Sequence, residues 1–234
     1  MDLNKIRNKL NDITSNSKGG NKTKANKWKP TIGKASIRVV PNKLNKDNPF
    51  TELYIYYGID NKTILSPKCY GEKDPIAEFI VKLRKTSDKE NWRLAKKIEA
   101  KMRVFLPVIV RTEEDKGVRL WEFGKETYMD FLNLADNEDV GDFTDILEGR
   151  DITVTTVGPE TTGTEYNKSN IMPRTKETQL SEDKDLVKKW LDEQPNPLEN
   201  YKKYSYDEIK SSLQSFLSPE DEKEVETEEE EDDL

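Results

Sequence analysis

Two neighbouring segments constrain the fold of this chain most strongly, because aliphatic residues recur at every second position through most of their length. Residues 101–111 read KMRVFLPVIVR and residues 118–123 read VRLWEF. This period of two is that of a β-strand, whose successive side chains point to opposite faces of a sheet. A short polar turn, EEDKG, joins the two segments. The pattern therefore predicts an antiparallel pair of strands within a β-sheet.

The two faces of this strand pair differ in chemistry. The first segment has an aliphatic face made of Met102, Val104, Leu106, Val108 and Val110. Bases and aromatic residues alternate with these and with Val118 and Leu120 of the second segment: Arg103, Phe105, Arg119, Trp121 and Phe123. We expect the bases and aromatic residues of both strands to share one face.

The remaining pattern predicts an α+β domain. Further strands are expected at residues 35–41, 50–60 and 151–158. A helix is expected after Asp74, which is an N-cap residue followed by Pro75 at the first helical position. Further helices are expected near residues 90–100, 125–135, 181–193 and 205–217. Several short strands, one helical insertion and helices towards the C-terminal end favour a small β-barrel with an inserted helical subdomain.

Composition indicates disordered ends around this domain and excludes several kinds of site. Hydrophobic residues make up 33% of the 234 residues, charged residues 36%, and the mean hydropathy is -0.93. Since the chain has no histidine, it cannot build a Ser-His-Asp triad or a histidine-bearing zinc site. A single cysteine, Cys69, suits a reducing cytoplasm, and no segment has the length of a membrane span. We expect a soluble, cytoplasmic protein.

The net charge of -7 hides a strong asymmetry along the chain. Lys and Arg exceed Asp and Glu by 13 in residues 1–110, whereas residues 111–218 and residues 219–234 each sum to -10. The last segment has eleven acids and one base, Lys223. The N-terminal half is therefore as basic as many nucleic-acid binders, although lysine-rich segments can also be simple solvated faces.

The basic and aromatic residues of the two strands predict a surface for single-stranded nucleic acid. Bases stack on flat side chains whatever their sequence, and a positive groove follows the phosphates. The candidate residues are Lys96, Lys97, Lys101, Arg103, Phe105, Arg119, Trp121 and Phe123, with Tyr54 and Tyr56 as an extension. Any one of these aromatic residues could instead belong to the core; taken as a set, their pattern favours binding.

Enzymatic chemistry has little support in the sequence. The acidic run Glu113, Glu114 and Asp115 could in principle hold a metal ion, but its place in a turn beside Lys116 favours a solvated hairpin tip. The segment TTVGPETTGT lacks the lysine of a phosphate-binding loop. We therefore predict a protein that is not an enzyme.

Four stretches together resemble the helix-destabilising single-stranded DNA-binding proteins of T-even-type bacteriophages. They are KWKP with ASIRVVP and PFTELYIYYG, then DPIAEFI, then VFLPVIVRTEEDKGVRLWEFGKETYMDFL, and finally DITVTTVGPETTGTEYNKSNI. The likeness covers roughly residues 25–195, and the order of basic arm, core and acidic tail is shared as well. The specificity lies in the shared order, since no single stretch is diagnostic.

This resemblance implies an oligonucleotide/oligosaccharide-binding (OB) barrel with a positive cleft and a DNA-facing Tyr166. It implies a basic arm, residues 1–27, in which Lys5, Arg7 and Lys9 contact the neighbouring molecule on DNA. The core would span residues 28–195 with a helical insert near 74–100, followed by a helical linker at 196–218. The implied function is cooperative, sequence-independent coating of single-stranded DNA in replication, recombination and repair, in the cytoplasm of an infected bacterium.

One departure from the family concerns its structural zinc, which three cysteines and one histidine hold. Here Asp74 and Ala77 stand in place of the knuckle pair, and Cys69 is the one cysteine that remains. We therefore predict no zinc and no other cofactor. A capped helix with an apolar stripe, Ile76, Phe79, Ile80 and Leu83, is expected to hold the subdomain instead.

The acidic tail, residues 219–234, admits two interpretations. Its acids, which include Glu228, Glu229, Glu230, Glu231, Asp232 and Asp233, can compete with DNA for the basic groove and, once displaced, recruit replication and recombination proteins. Alternatively the tail is the active part of an acidic DNA-mimic protein. An RNA-binding or RNA-chaperone protein with an OB fold is a further alternative.

Overall fold

The fold is α+β, as the alternating and helical patterns predict. A computed structural model describes residues 27–45 and 47–218. Within these residues there are eight strands: β1 (Lys27–Trp28), β2 (Gly33–Val39), β3 (Thr51–Ile59), β4 (Lys62–Leu65), β5 (Lys101–Val110), β6 (Arg119–Phe123), β7 (Arg150–Val157) and β8 (Lys168–Glu177). The six α-helices of the same residues are α1 (Pro75–Arg84), α2 (Lys89–Lys97), α3 (Lys125–Ala135), α4 (Pro159–Thr162), α5 (Lys184–Asp192) and α6 (Tyr206–Leu217).

The strands form one mixed sheet whose main path runs β1-β6-β5-β2-β7-β8. All of these neighbours are antiparallel except β1 and β6, and β3 pairs with β4 off the path. Among the described strands, β1 and β8 end the path without pairing to each other. The sheet is therefore open, and the closed barrel expected from the sequence is not found in these pairings.

The chain divides into two compact units. Of the described residues, the first unit contains those from 27 to 52 together with Arg103–Asn200, and the second contains Leu53–Met102 and residues 201–218. The helical insert predicted at 74–100 thus belongs to a larger unit, which also includes the β3–β4 hairpin and α6. The segment predicted as a linker, 196–218, supplies part of that unit's core.

Helix α5 covers part of the sheet in the first unit. Trp190 and Leu180 pack on Val40, Ile109 and Val118, with three apolar residues of α5 at the edge of this cluster: Leu186, Val187 and Leu191. Trp190 is 2% exposed. The amphipathic pattern of residues 181–193 therefore has its explanation in this contact.

The core of the second unit joins residues that are far apart in sequence. Its buried members are Tyr56, Ile59, Ile64, Ile76, Ile80, Leu83, Ala95, Ile98, Ile209 and Leu213. Three of the four residues of the predicted α1 stripe are among them, and Phe79 packs against the cluster from a partly buried position. Helix α6 begins with the predicted capping box, in which Ser205 and Glu208 exchange hydrogen bonds.

Asp74 anchors the start of α1 in this unit. Its carboxylate is 2% exposed and accepts from the backbone N–H groups of Ile76 and Ala77, each at 3.0 Å. The hydroxyl groups of Tyr56, at 2.9 Å, and Ser66 also donate to it. These four hydrogen bonds satisfy the buried charge and confirm Asp74 as the N-cap. With this carboxylate so engaged, one cysteine and no histidine in the chain, the residues do not fit the family's zinc site.

No helix in the part of the chain that the structure describes is both long and apolar enough to cross a bilayer.

Candidate nucleic-acid interface

A groove in the first unit is lined by five bases and one acid. We call it the basic groove and define it by Lys27, Lys29, Lys34, Lys116 and Arg119, with Glu113 as the acid. Its volume is about 370 Å³, and its remaining lining consists of three apolar residues and two threonines: Trp28, Ala35, Val110, Thr31 and Thr112. A groove of this charge fits a chain of phosphates.

The pairing of β1 with β6 places the first two lysines. In this parallel pair Trp28 lies beside Trp121, and their rings meet edge to face with centroids 5.2 Å apart. Because Trp28 is only 8% exposed, its burial fixes the backbone on either side of it. Lys27 and Lys29 are thereby held at the surface, the first half-buried and the second exposed.

The basic side chains of the groove differ in how available they are to contact phosphate. Glu113 accepts from Arg119 at 2.6 Å and lies 3.1 Å from the Lys116 ammonium. The two cations, Lys116 first and then Arg119, lower the pKa of this carboxyl, so it stays ionised and neutralises part of their charge. Lys29 and Lys34 are exposed and form no ion pair within residues 27–45 and 47–218. These two lysines are the cations best placed for phosphate.

The register of β5 and β6 does not bring the predicted aromatic residues to one face. Leu106 pairs with Trp121, and Phe105 pairs with Glu122. Since residues directly opposite each other in an antiparallel pair project to the same face, Phe105 lies on the other face from Trp121 and Phe123. The alternation of side chains within each strand agrees with the prediction. The connecting residues, 111–118, however, set a register in which Phe105 and Trp121 project to opposite faces of the sheet.

The predicted stacking rings are buried rather than open to a base. Phe105 is 0%, Trp121 2% and Phe123 7% exposed. Helix α3 covers the face of β6, since its Phe131 stacks on Phe123 with centroids 5.5 Å apart and meets Trp121 edge to face at 5.7 Å. These three rings therefore belong to the core rather than to the exposed platform expected of them.

The predicted bases of the same strands lie in separate places. Arg119 is 8% exposed and lines the basic groove through its contact with Glu113. Arg103 is half-buried, with its Nε 3.8 Å from Glu122, which also accepts from Lys27 at 2.8 Å. Only Arg119 of the pair thus belongs to the groove.

Tyr166 is the most exposed aromatic residue of the first unit among those described. It is 75% exposed, in the connection between β7 and β8. Its backbone carbonyl accepts from the Thr164 hydroxyl at 2.8 Å. The ring is therefore accessible to a base.

The tyrosines of β3, in the second unit, differ in exposure, and the exposed pair is not the predicted one. Tyr54 and Tyr57 are each 43% exposed, whereas Tyr56 is 3% exposed and donates to Asp74. The alternation in the sequence predicts Tyr54 and Tyr56 on the same face of the strand. The helical cluster buries Tyr56, and the register shift between Tyr57 and Ile59 marks the irregular end of the strand.

Helix α2 presents a basic face with an aromatic residue in it. We call this the α2 face; its members, at positions i, i+3, i+4 and i+7, are Lys89, Trp92, Arg93 and Lys96. Trp92 is 53% exposed, whereas the other three tryptophans are 8% exposed or less. The Arg84 guanidinium lies 5.8 Å from the centroid of the Trp92 ring. Arg93 donates to Glu90 at 2.5 Å, so Lys89 and Lys96 are the cations of this face that form no ion pair in the described residues.

The other bases predicted in this unit lie near the ends of their elements. Lys97 is exposed at the end of α2 with its ammonium 5.6 Å from the Phe216 ring. Lys101 is exposed at the start of β5. Both are accessible, as the prediction requires.

The acidic turn is engaged in ion pairs. Glu114 accepts from Arg111 at 2.8 Å, and Glu113 is shared by Lys116 and Arg119. Across the described residues, no group of three or more His, Cys, Asp or Glu residues could hold a metal ion. The paired carboxylates agree with a hairpin tip.

Sequence reasoning did not single out five of the accessible residues: Lys27, Lys29, Lys34, Lys116 and Trp92. The first two flank Trp28 in KWKP, a pattern in which a buried indole between lysines indicates a basic edge. Trp92 lies three residues before the buried Ala95, so the helical period alone does not indicate its exposure. The predicted arm residues Lys5, Arg7 and Lys9, and the tail residues 228–233, lie outside the described residues.

The chain was compared with known protein families and with curated proteins. A family model described as "gp32 DNA binding protein like" matches residues 31–231. No curated protein matches the chain. The matched span includes both units and most of the basic groove.

Proposed function

The chain belongs to the gp32-like family of DNA-binding proteins, and we propose that it coats single-stranded DNA cooperatively and without sequence preference. Members of this family bind single-stranded DNA. The observation that carries the proposal is the basic groove, in which Lys29 and Lys34 are exposed beside three further bases. Contacts to phosphates carry no sequence information, so such a groove suits indiscriminate binding.

Base stacking is assigned to exposed aromatic residues. In the first unit this is Tyr166, and in the second unit it is Trp92 with Tyr54. Stacking on an open ring contributes about 1–3 kcal/mol per base and is tolerant of sequence. Lys89 and Lys96, which are exposed, supply phosphate contacts beside Trp92.

The wider role follows from the family and the charge pattern. We propose that the sheet is an open form of the OB fold, and that the basic N-terminal segment joins neighbouring copies on DNA. The tail, residues 219–234, carries a net charge of -10 and competes with DNA for the lysine and arginine side chains of the core. Once displaced, it recruits basic partner proteins in replication, recombination and repair.

Charge reversal in the groove tests the proposal. The double variant Lys29→Glu/Lys34→Glu should weaken binding of the full chain to oligo-dT by about tenfold or more, because it turns two phosphate contacts into repulsions. The matched control is Lys184→Glu/Lys188→Glu, which changes the same charge at exposed positions of α5 in the same unit. Binding can be followed by fluorescence anisotropy of a labelled oligonucleotide.

Three results would contradict parts of this proposal. Equal weakening by both double variants would show that net charge matters and that the groove does not. Tighter binding to oligo-U than to oligo-dT would favour the RNA-binding alternative. An absence of binding even after deletion of residues 219–234 would favour a DNA mimic.

A further inference from the structure

The carboxylate of Glu113 lies in the basic groove between two of its cations. Its Oε2 accepts from Arg119 Nη2 at 2.6 Å, and its Oε1 lies 3.1 Å from the Lys116 ammonium. Of the described residues that line the groove, Glu113 is the only acid. A DNA phosphate binds basic side chains in the same way, with different oxygens facing different cations. The groove therefore already contains one anion, supplied by the chain itself.

Arg119 has a hydrogen-bond donor that Glu113 does not use. Arg119 is 8% exposed, and its buried Nε has no hydrogen-bond partner among the described residues. Nε lies on the same edge of the guanidinium as Nη2, the atom that donates to Glu113. Arginine often binds phosphate through two parallel N–H···O bonds, and such an edge supplies both donors. A phosphate in place of the carboxylate can therefore engage two atoms of Arg119, whereas the carboxylate engages one.

The rest of the groove also offers donors to phosphate. Thr31 and Thr112, both exposed, belong to its lining, and threonine hydroxyls commonly donate to phosphate oxygens in complexes with DNA. Lys29 and Lys34 add two exposed ammonium groups. A chain of phosphates can therefore be held in the groove at several points at once, one of which is the position that Glu113 occupies.

Glu113 can leave this position more easily than Arg119 can. The side chain of Glu113 is 37% exposed and that of Lys116 is 52% exposed, whereas that of Arg119 is 9% exposed. Ion pairs between exposed side chains contribute little to stability because water screens them. The backbone N–H of Glu113 donates to the Val110 carbonyl at 2.8 Å, so the side chain can rotate away while the turn keeps its shape. The buried guanidinium of Arg119, in contrast, needs an anion beside it in both states.

We propose that Glu113 occupies a phosphate subsite of the basic groove, and that a DNA phosphate displaces its carboxylate and binds Lys116 together with Nε and Nη2 of Arg119. The inference rests on the proposed function for its ligand, single-stranded DNA. Displacement exchanges one anion for another, so Arg119 keeps a partner throughout. Because the ion pairs of Glu113 must first break, a ligand that also contacts Lys29 and Lys34 opens the subsite more readily than an isolated anion does. The carboxylate therefore favours chains of phosphates over single ones.

Two matched variants of the full chain, Glu113→Gln and Glu114→Gln, test the subsite. Both remove one negative charge from the same turn, but Glu114 accepts from Arg111 and does not line the groove. Arg111 keeps Asp151 as its partner in that control. Glu113→Gln should tighten binding of oligo-dT about fivefold, because phosphate no longer has to displace a carboxylate, and Glu114→Gln should tighten it less than about twofold. Fluorescence anisotropy at one fixed salt concentration measures both.

The variant Lys116→Ala distinguishes displacement from a long-range effect of charge. Because the subsite uses the Lys116 ammonium, the gain from Glu113→Gln should fall below about twofold when Lys116→Ala is also present. A gain that Lys116→Ala leaves unchanged would overturn the inference, since the carboxylate would then act only through its field. Binding by Glu113→Gln that is no tighter than binding by Glu114→Gln would overturn it as well.

A second probe, inorganic tripolyphosphate, separates this inference from the proposed function. Isothermal titration calorimetry should show that Glu113→Gln binds it about fivefold more tightly than Glu114→Gln does, for the same reason as with oligo-dT. Equal affinities, or no binding by either variant, would overturn the subsite. If the wild type fails to bind oligo-dT, the proposed function is refuted, and the calorimetric comparison still decides whether Glu113 occupies a phosphate subsite.

Discussion

The carboxylate of Asp74 organises its surroundings by hydrogen bonds alone. Asp74→Ala removes a buried carboxylate. The hydroxyl groups of Tyr56 and Ser66 and two backbone N–H groups then lose their hydrogen-bond acceptor. We expect a loss of about 3 kcal/mol in the free energy of unfolding, measured by urea denaturation.

The control for this prediction is Asp88→Ala. Asp88 caps α2 in the same unit but is exposed and accepts one hydrogen bond, from the Glu90 N–H at 2.8 Å. Its loss should be about 1 kcal/mol, typical of an N-cap. Equal losses in the two variants would show that Asp74 is an ordinary cap and not the centre of the unit.

Tyr56, whose hydroxyl donates to Asp74, makes the stability of the fold depend on pH. Burial, and then the neighbouring Asp74 charge, raises the pKa of Tyr56 well above its ordinary value of 10.0. Because the folded pKa is the higher one, the stability that this group contributes is fully present below about pH 10 and is lost as pH rises beyond it. Urea midpoints between about pH 9 and about pH 11 should fall more steeply for the wild type than for Tyr56→Phe. Parallel slopes would contradict this assignment.

Among the elements, α6 has the clearest consequence for stability. Ile209 is 1% exposed within the second unit's core, whereas Leu217, at the end of the same helix, is 38% exposed. We expect Ile209→Ala to lower the free energy of unfolding by about 3 kcal/mol, because it leaves a cavity. Leu217→Ala should cost less than about 1 kcal/mol. If Ile209→Ala changes unfolding no more than Leu217→Ala does, α6 is not part of that core.

The elements themselves could be predicted from sequence, but the surfaces they form could not. Period two indicated β5 and β6, and Asp74 and Ser205 marked the starts of α1 and α6 correctly. Alternation could not show that Phe105 pairs with Glu122, because the connection between the strands sets the register. Nor could it show that Trp121 is covered by Phe131, since α3 packs there by tertiary contacts. For this reason the rings predicted to stack on bases are buried, and the open ring of Trp92 was overlooked.

At the scale of the whole molecule, opposite charges occupy different surfaces. The basic groove and the α2 face are positive, whereas the tail carries a net charge of -10. An overall charge of -7 therefore says little about what the chain binds. In the proposed account the lysine and arginine side chains of both units contact DNA phosphates.

The central claim is that the chain binds single-stranded DNA through lysine and arginine side chains and through exposed aromatic rings. Its most direct test is a titration of the full chain with oligo-dT at several salt concentrations, followed by tryptophan fluorescence. Trp92, the one tryptophan more than 8% exposed, should be quenched, and Trp92→Phe should remove most of that signal. The logarithm of the affinity should fall linearly with that of the salt concentration, with a slope of about -0.7 for each phosphate contacted. Binding that is absent, or whose affinity does not change with salt, would contradict the account.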